Sequence, residues 1–219
     1  YKTENSKAII DLCNSTPKYS STSRELPSFQ DVIKFDEIVN DYFRKYPTNE
    51  TIEFLPILIW WILTNILPMR PTEFLLLEKD CLVHNPTSLI PYKIKVPRIK
   101  NESDNPEYII RHDFIAIDES TYELISDSIK RIESMGIQSS DLFPVELLKA
   151  FRKHNRKKVN KRINRRDFDL LKKDFYTRIV EGIYSETNLE RIKSGDTRHF
   201  AIINMCMQGF NMLSIAHMA

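Results

Sequence analysis

Arg70 and Arg198 are the residues of this 219-residue chain whose type and setting point most directly to chemistry. Arg198 lies in Gly195-Asp196-Thr197-Arg198-His199-Phe200-Ala201. The residues that follow, Ile202, Ile203, Met205, Met207, Phe210 and Met212, are too apolar and too closely spaced for a surface loop. The pattern predicts a buried helix opened by Arg198 and His199, with Asp196 or Thr197 as its N-cap. A guanidinium at the head of a buried helix is costly unless something anionic meets it. Arg70 repeats the situation, directly after the apolar run from Phe54 to Leu67. Each arginine alone is explained by a salt bridge, for Arg198 with Asp196 or another carboxylate. Two of them in such settings point to a shared anion.

The elements that must position these side chains are mostly helical. Asp31 to Arg44 repeats apolar residues at helical spacing, and Pro47-Thr48-Asn49 ends it. Thr51 to Leu67 is apolar on every side and includes Trp60 and Trp61, which predicts a helix at the centre of the domain. Pro71 suits the first turn of a short helix closed by Lys79-Asp80, so Arg70 sits at a junction between helices. Glu73, three residues on, is at the distance where it holds that guanidinium in place. Ser88 to Val96 and Glu107 to Ile117 alternate like strands and read as a small antiparallel sheet with a long polar tip, Lys100 to Pro106. Lys93, Lys95, Arg98 and Lys100 make that hairpin basic, either as a solvated face or as a surface for an anion.

Glu119 to Ser134 is an amphipathic helix ending at Gly136, and Asp141-Leu142-Phe143-Pro144 a short extended turn. From Lys149 to Arg166 the chain holds ten Lys or Arg residues and no Asp or Glu, among them Lys153, Arg156, Lys157, Lys158, Lys161, Arg162, Arg165 and Arg166. A polyanion would relieve their mutual repulsion, which makes the segment a candidate nucleic-acid contact. Asp167 to Gly182 returns to helix. Residues 1 to 28 are polar, Ser-rich and aperiodic, and read as an arm or linker; 29 to 219 read as one domain.

Composition sets limits. With 42% hydrophobic and 28% charged residues the chain can bury one sizeable core, and a net charge of +2 says little about partners. Cys13, Cys81 and Cys206 lack metal or redox spacing and fit a reducing cytoplasm. The run Ile52 to Leu67 holds Glu53, Pro56 and Asn65 and is too short to span a bilayer, so no membrane role is expected. The chain lacks an initiator methionine and stops at Ala219 inside a helical pattern without a C-cap, which reads as a piece of a longer protein.

Taken together, the motifs resemble the catalytic domain of the tyrosine recombinases, the phage-integrase family, over about residues 50 to 219. Arg70-Pro71-Thr72-Glu73-Phe74-Leu75 resembles the family's first arginine motif, Leu142-Phe143 its Leu-Phe turn, and Gly195-Asp196-Thr197-Arg198-His199-Phe200-Ala201 its second arginine box. Gly209 to Ala216 resembles the glycine-led helix after that box. The resemblance implies an α+β, mainly α fold and DNA strand cleavage and rejoining through a 3′-phosphotyrosyl link, without metal or nucleotide cofactor. It implies Arg70 and Arg198 as the stabilisers of the phosphorane-like transition state and a hairpin lysine as general acid. Lys100 is taken for that lysine, with Lys95 and Lys93 as alternatives. Glu73 would orient an arginine, and His199 would be a buried hydrogen-bonding residue of the box.

The chain departs from the pattern in three places. Gly195 stands where the box usually begins with histidine, leaving Lys193 as a substitute in proton transfer. The hairpin loop is longer than usual. The family's Gly-His pair and nucleophilic tyrosine have no counterpart before Ala219, so residues 1–219 alone are expected to bind DNA without cleaving it. The resemblance further implies duplex DNA as partner, a tetramer on DNA, accessory recombination proteins, a missing N-terminal core-binding domain, and a role in integration, excision or transposition of a bacterial mobile element. A non-catalytic DNA-binding relative, a type IB topoisomerase and an unrelated helical domain with salt-bridged arginines are the competing readings.

Overall fold

A computed structural model of the chain describes residues 25–100, 109–148 and 162–218. The order of elements follows from local signals. Helix α1 (Phe29–Lys45) starts where the Ser28 hydroxyl accepts from the Asp31 N–H at 3.2 Å, and it ends with Arg44 and Lys45 in its last turn. Phe35, Ile38, Val39 and Tyr42 form its buried stripe. The expected helix from Thr51 to Leu67 is not continuous: a short helix α2 (Thr48–Thr51) precedes a 3-10 turn at Ile52–Phe54, and α3 (Leu55–Ile66) follows. Pro56 suits the first turn of α3, where its missing N–H costs nothing.

Helix α3 is the centre of the core, as its all-round apolarity predicted. Trp60 and Ile59 are wholly buried, and Phe35 of α1 meets Trp61 edge-on with ring centroids 4.9 Å apart. Trp61 also donates to Asp36 at 2.7 Å, which gives its ring nitrogen the partner a buried indole requires.

Helix α4 (Pro71–Leu75) is shorter than expected, and Lys79 and Asp80 belong to a separate 3-10 turn. The sheet has three antiparallel strands in the order β1 (Leu82–His84), β2 (Tyr92–Lys100) and β3 (Ile109–Ala116), with Ile94 opposite Ile115 and Lys100 opposite Ile109. Strand β1 went unpredicted because three residues show no period. Strand β2 begins later than expected and runs through to Lys100. Helix α5 (Glu119–Ser134) has the predicted bounds; Asp118 caps it by accepting from the Thr121 N–H at 2.8 Å, and Gly136 takes the positive φ of 74° just beyond its end. Leu142 and Phe143 are fully buried, and Phe143 packs on Phe74 with centroids 4.6 Å apart.

The polar hairpin tip beyond Lys100 and much of the basic segment, including Lys153, Arg156, Lys157, Lys158 and Lys161, lie outside the described residues, as do residues 1–24 of the expected linker. Helix α6 (Arg165–Phe175) begins two residues earlier than expected, because Asn164 and Asp167 form a reciprocal cap, and it passes into a π-helical segment at Tyr176–Glu181.

Helix α7 (Asp196–Met207) packs along α3. Gly195, not Asp196 or Thr197, is its N-cap residue; Asp196 already lies in the first turn and accepts from the Lys193 N–H at 2.7 Å. The expectation of a buried helix holds for one side only. Ala201 and Met205 are buried, whereas Met207 is 82% exposed, and in α8 (Met212–Met218) only Ile215 is buried among its large apolar residues. Phe200 packs against the core, but Met207, Met212 and Leu213 cover none.

One buried polar contact pins α7 to α3. Thr64 Oγ1 lies 2.6 Å from the Trp60 carbonyl, which it reaches only by donating, so the Thr197 hydroxyl, also 2.6 Å away, is the donor to Thr64. Replacing Thr64 with valine leaves the fully buried Thr197 hydroxyl without its acceptor. The expected cost is about 1–3 kcal/mol in urea unfolding, and an unchanged urea midpoint would show that the clamp contributes nothing.

Candidate functional site

The sheet, α4, α6 and α7 bring the basic residues of the sequence to one place. A cleft of about 690 Å³ is lined by Arg70, Arg165, Lys172, Lys173, Arg191, Lys193 and Arg198, with His199 beside them and Asp169 as the one carboxylate. Seven cations against one carboxylate form a field that attracts and holds anions.

Arg70 is the N-cap residue of α4. Its N–H donates to Glu73 Oε2 at 2.8 Å, and its guanidinium donates to Glu73 Oε1 and to the Ile99 carbonyl, both at 3.2 Å. The side chain remains half exposed, so these bonds aim it without using it up. Glu73 is only 1% exposed and accepts from Arg98 as well, at 3.3 Å. It orients Arg70, as expected, and joins α4 to β2.

Arg98 overturns its expected role as a DNA-contacting residue of the hairpin. It is buried and donates to Glu73, to Asp113 at 3.1 Å and to the Met218 carbonyl at 2.8 Å. Its position on the same face of β2 as the core residues Ile94 and Val96 is the sequence signal that marked it as internal.

Arg198 stands in the first turn of α7. Burial pushes its pKa down from the ordinary arginine value, and the charges of Arg70 and Arg98 push it further, with Glu73 opposing them. Three guanidiniums thus feel one another around a single buried carboxylate. An anion entering the cleft meets the positive charge of this cluster.

His199 is exposed and lines the cleft, contrary to the expectation of a buried residue; Lys193 is exposed there too, beside Gly195. Lys93 and Lys95 do not line the cleft, and Lys95 pairs with Asp80 of the 3-10 turn at 3.2 Å. Lys100 closes β2 immediately after Ile99, whose carbonyl holds Arg70, so the backbone brings that end of the hairpin to the cleft edge. Arg162 pairs with Asp141 at 2.8 Å and lines an adjoining pocket, while Arg165 borders both spaces. Arg166 is exposed outside the cleft.

Lys172 was missed by the sequence reading. It is buried, donates to the Ile192 carbonyl at 3.2 Å, and lies 3.6 Å from Asp169 and 5.2 Å from the centre of the Trp60 ring. The signal was its place on the apolar stripe of α6, four residues after Phe168 and three before Phe175. Around it the 192–195 turn is tied down: Tyr176 accepts from the Ile192 N–H at 3.0 Å, Trp60 donates to the Ser194 carbonyl at 3.3 Å, and the Ser194 hydroxyl donates to Asp169. This anchoring sets where α7 begins and hence where Arg198 points.

Burial pushes the Lys172 pKa down to about 8, with Asp169 opposing the shift. The folded state therefore releases this proton before the unfolded chain does, and stability gains with pH between the folded value near 8 and the ordinary lysine value. Between pH 8 and 9.5 this amounts to about 2 kcal/mol, and Lys172→Met is expected to abolish the gain. Urea midpoints of the two proteins across that range test it; parallel profiles would refute the assignment.

Among the described residues no group of three or more metal-binding side chains occurs, and no helix is long and apolar enough to cross a membrane. The architecture is mainly helical with a small antiparallel sheet. Compared with protein-family models, curated proteins and solved structures, the chain matches none.

Proposed function

We propose that this chain is a DNA strand-transferase domain of the tyrosine-recombinase kind, acting in the cytoplasm on duplex DNA. The observation that carries the reading is the convergence of Arg70 and Arg198 on one basic cleft, with Glu73 behind them and the end of β2 beside them. One phosphodiester between two guanidiniums has each of its non-bridging oxygens met by a planar donor fork. As a tyrosine oxygen attacks phosphorus, the P–O5′ bond breaks and charge builds on those oxygens, where fixed donors stabilise it most. Lys100 delivers a proton to the departing O5′ as general acid. The reverse attack by a new 5′-hydroxyl rejoins the strand.

The cleft's own tyrosine, Tyr176, is not the nucleophile in this reading. Its hydroxyl is tied to the Ile192 N–H, and burial pushes its pKa up, away from the phenolate that attack requires. The nucleophile comes from outside the described residues, and assembly as a tetramer on two DNA sites belongs to the same proposal, as do accessory proteins and the moving of a mobile element.

A second reading has its own observation. Gly195 lines the cleft where the recombinase box has histidine, which favours a relative that binds DNA and has lost the chemistry. Covalent trapping separates the two: the chain carried through its own stop codon is mixed with a nicked suicide duplex from the ends of its element. A denaturant-resistant adduct is expected. DNA binding without any adduct would overturn strand transfer in favour of the second reading.

A further inference from the structure

One reacting phosphodiester accounts for Arg70 and Arg198. It leaves unexplained the other cations that line the cleft, Arg165, Lys172 and Lys173 of α6 and Arg191 and Lys193 of the turn before α7. Arg165, Asp169, Lys172 and Lys173 are spaced by four, three and one residues, which places them on one side of α6. From Arg165 to Lys173 that side runs about 12 Å at roughly 1.5 Å per residue. A DNA strand running along that strip presents more than one successive phosphate to it.

Lys172 is matched locally by Asp169 and the Ile192 carbonyl, but the exposed cations around it are less fully met. Asp169 is engaged by Lys172 and Ser194. Arg191 pairs with Glu181 at 2.8 Å but stays half exposed, with its guanidinium 5.7 Å from the centre of the Tyr176 ring. An exposed pair of this kind is worth little and yields to a phosphate. A solvated helix face accounts for exposed lysines such as Lys173, but not for a buried Lys172 held at the floor of the same cleft.

We infer that the α6 side of the cleft is a second binding site, a track for the non-reacting phosphates that flank the reacting one on the same DNA strand. Arg165, Lys173, Arg191 and Lys193 make the contacts, and Lys172 contributes its charge from beneath. The inference rests on the strand-transfer reading for the identity of the polyanion, and the experiment separates the two.

Affinity for a 30-base-pair duplex of arbitrary sequence is measured against salt concentration for the wild type, for Lys173→Ala/Arg191→Ala, and for Lys130→Ala on the exposed face of α5. Each lost phosphate contact lowers the slope of log affinity against log salt by about 0.9, so the double variant is expected to lose roughly 1.8 with an unchanged melting temperature. The Lys130 variant is expected to keep the wild-type slope. A double variant with the wild-type slope would overturn the track, as would an equal loss in the Lys130 variant. If the wild type forms the covalent adduct while the double variant keeps its slope, only the track fails; if the wild type shows no salt-dependent affinity, the track and the strand-transfer reading fall together.

Discussion

Glu73→Ala is expected to be the most destabilising single change at the site, with a loss of about 3–5 kcal/mol and a fall in melting temperature of about 10 °C. Glu73 is buried and receives four donors: the Arg70 N–H and guanidinium, the Arg98 guanidinium and, at 3.4 Å, the Ile99 N–H. Removing it leaves Arg98, itself buried, with only Asp113 and the Met218 carbonyl, and it frees the first turn of α4 from its cap. Most of the loss is the penalty of an undercompensated buried cation rather than the worth of the bonds. Arg98→Met is therefore expected to cost less, because Glu73 then keeps Arg70 and both N–H donors. Thermal melts of the two variants decide the matter. A Glu73→Ala protein melting with the wild type would mean that the carboxylate is dispensable to the fold.

Arg198→Ala is expected to behave in the opposite way, slowing strand transfer steeply at no cost in stability. Its lowered pKa means that the fold disfavours the charge it carries, chiefly through burial and then through Arg70. Removing that charge relieves repulsion, so the melting temperature should hold or rise. In strand transfer the loss of a fixed donor to the transition state typically costs about 10²–10³ in rate, and the covalent adduct should fall by that factor. Arg198→Lys is expected to recover only part of the rate, since an ammonium supplies charge without the bidentate fork. Full adduct formation by Arg198→Ala would remove the arginine from the mechanism, and a large drop in its melting temperature would return it to the salt-bridge reading.

Arg98 and Lys172 show why part of the site was not legible in advance. Arg98 is a cation of the basic hairpin and Lys172 one of a helix of mixed charge, and such residues are usually solvated. Each occupies a position whose period points inward, Arg98 after Ile94 and Val96 on β2, Lys172 between Phe168 and Phe175 on α6. Period and residue type disagreed, and the sequence reading followed type. His199 is the converse: the apolar residues after it and the resemblance both imply burial, but the start of α7 is pinned at Thr197, which leaves His199 on the open side.

What the sequence determined by itself is local. The apolar stripe of α1, the all-round apolarity of α3, the bounds of α5, the strand character of the hairpin and the holding of Arg70 by Glu73 follow from spacing, because each depends on residues a turn or a pleat apart. What only the tertiary structure decided is which charges share a space. Arg70 and Arg198 are separated by 127 intervening residues, and Arg165, Lys172 and Arg191 come from other elements again. Their meeting depends on the burial of α3, around which α1, α6 and α7 pack, so that Arg70 and Arg198 line one cleft. The burial of apolar surface is non-directional and assembles the cleft. The buried hydrogen bonds of Glu73, Thr64 and Lys172 then select the one arrangement in which the guanidiniums converge.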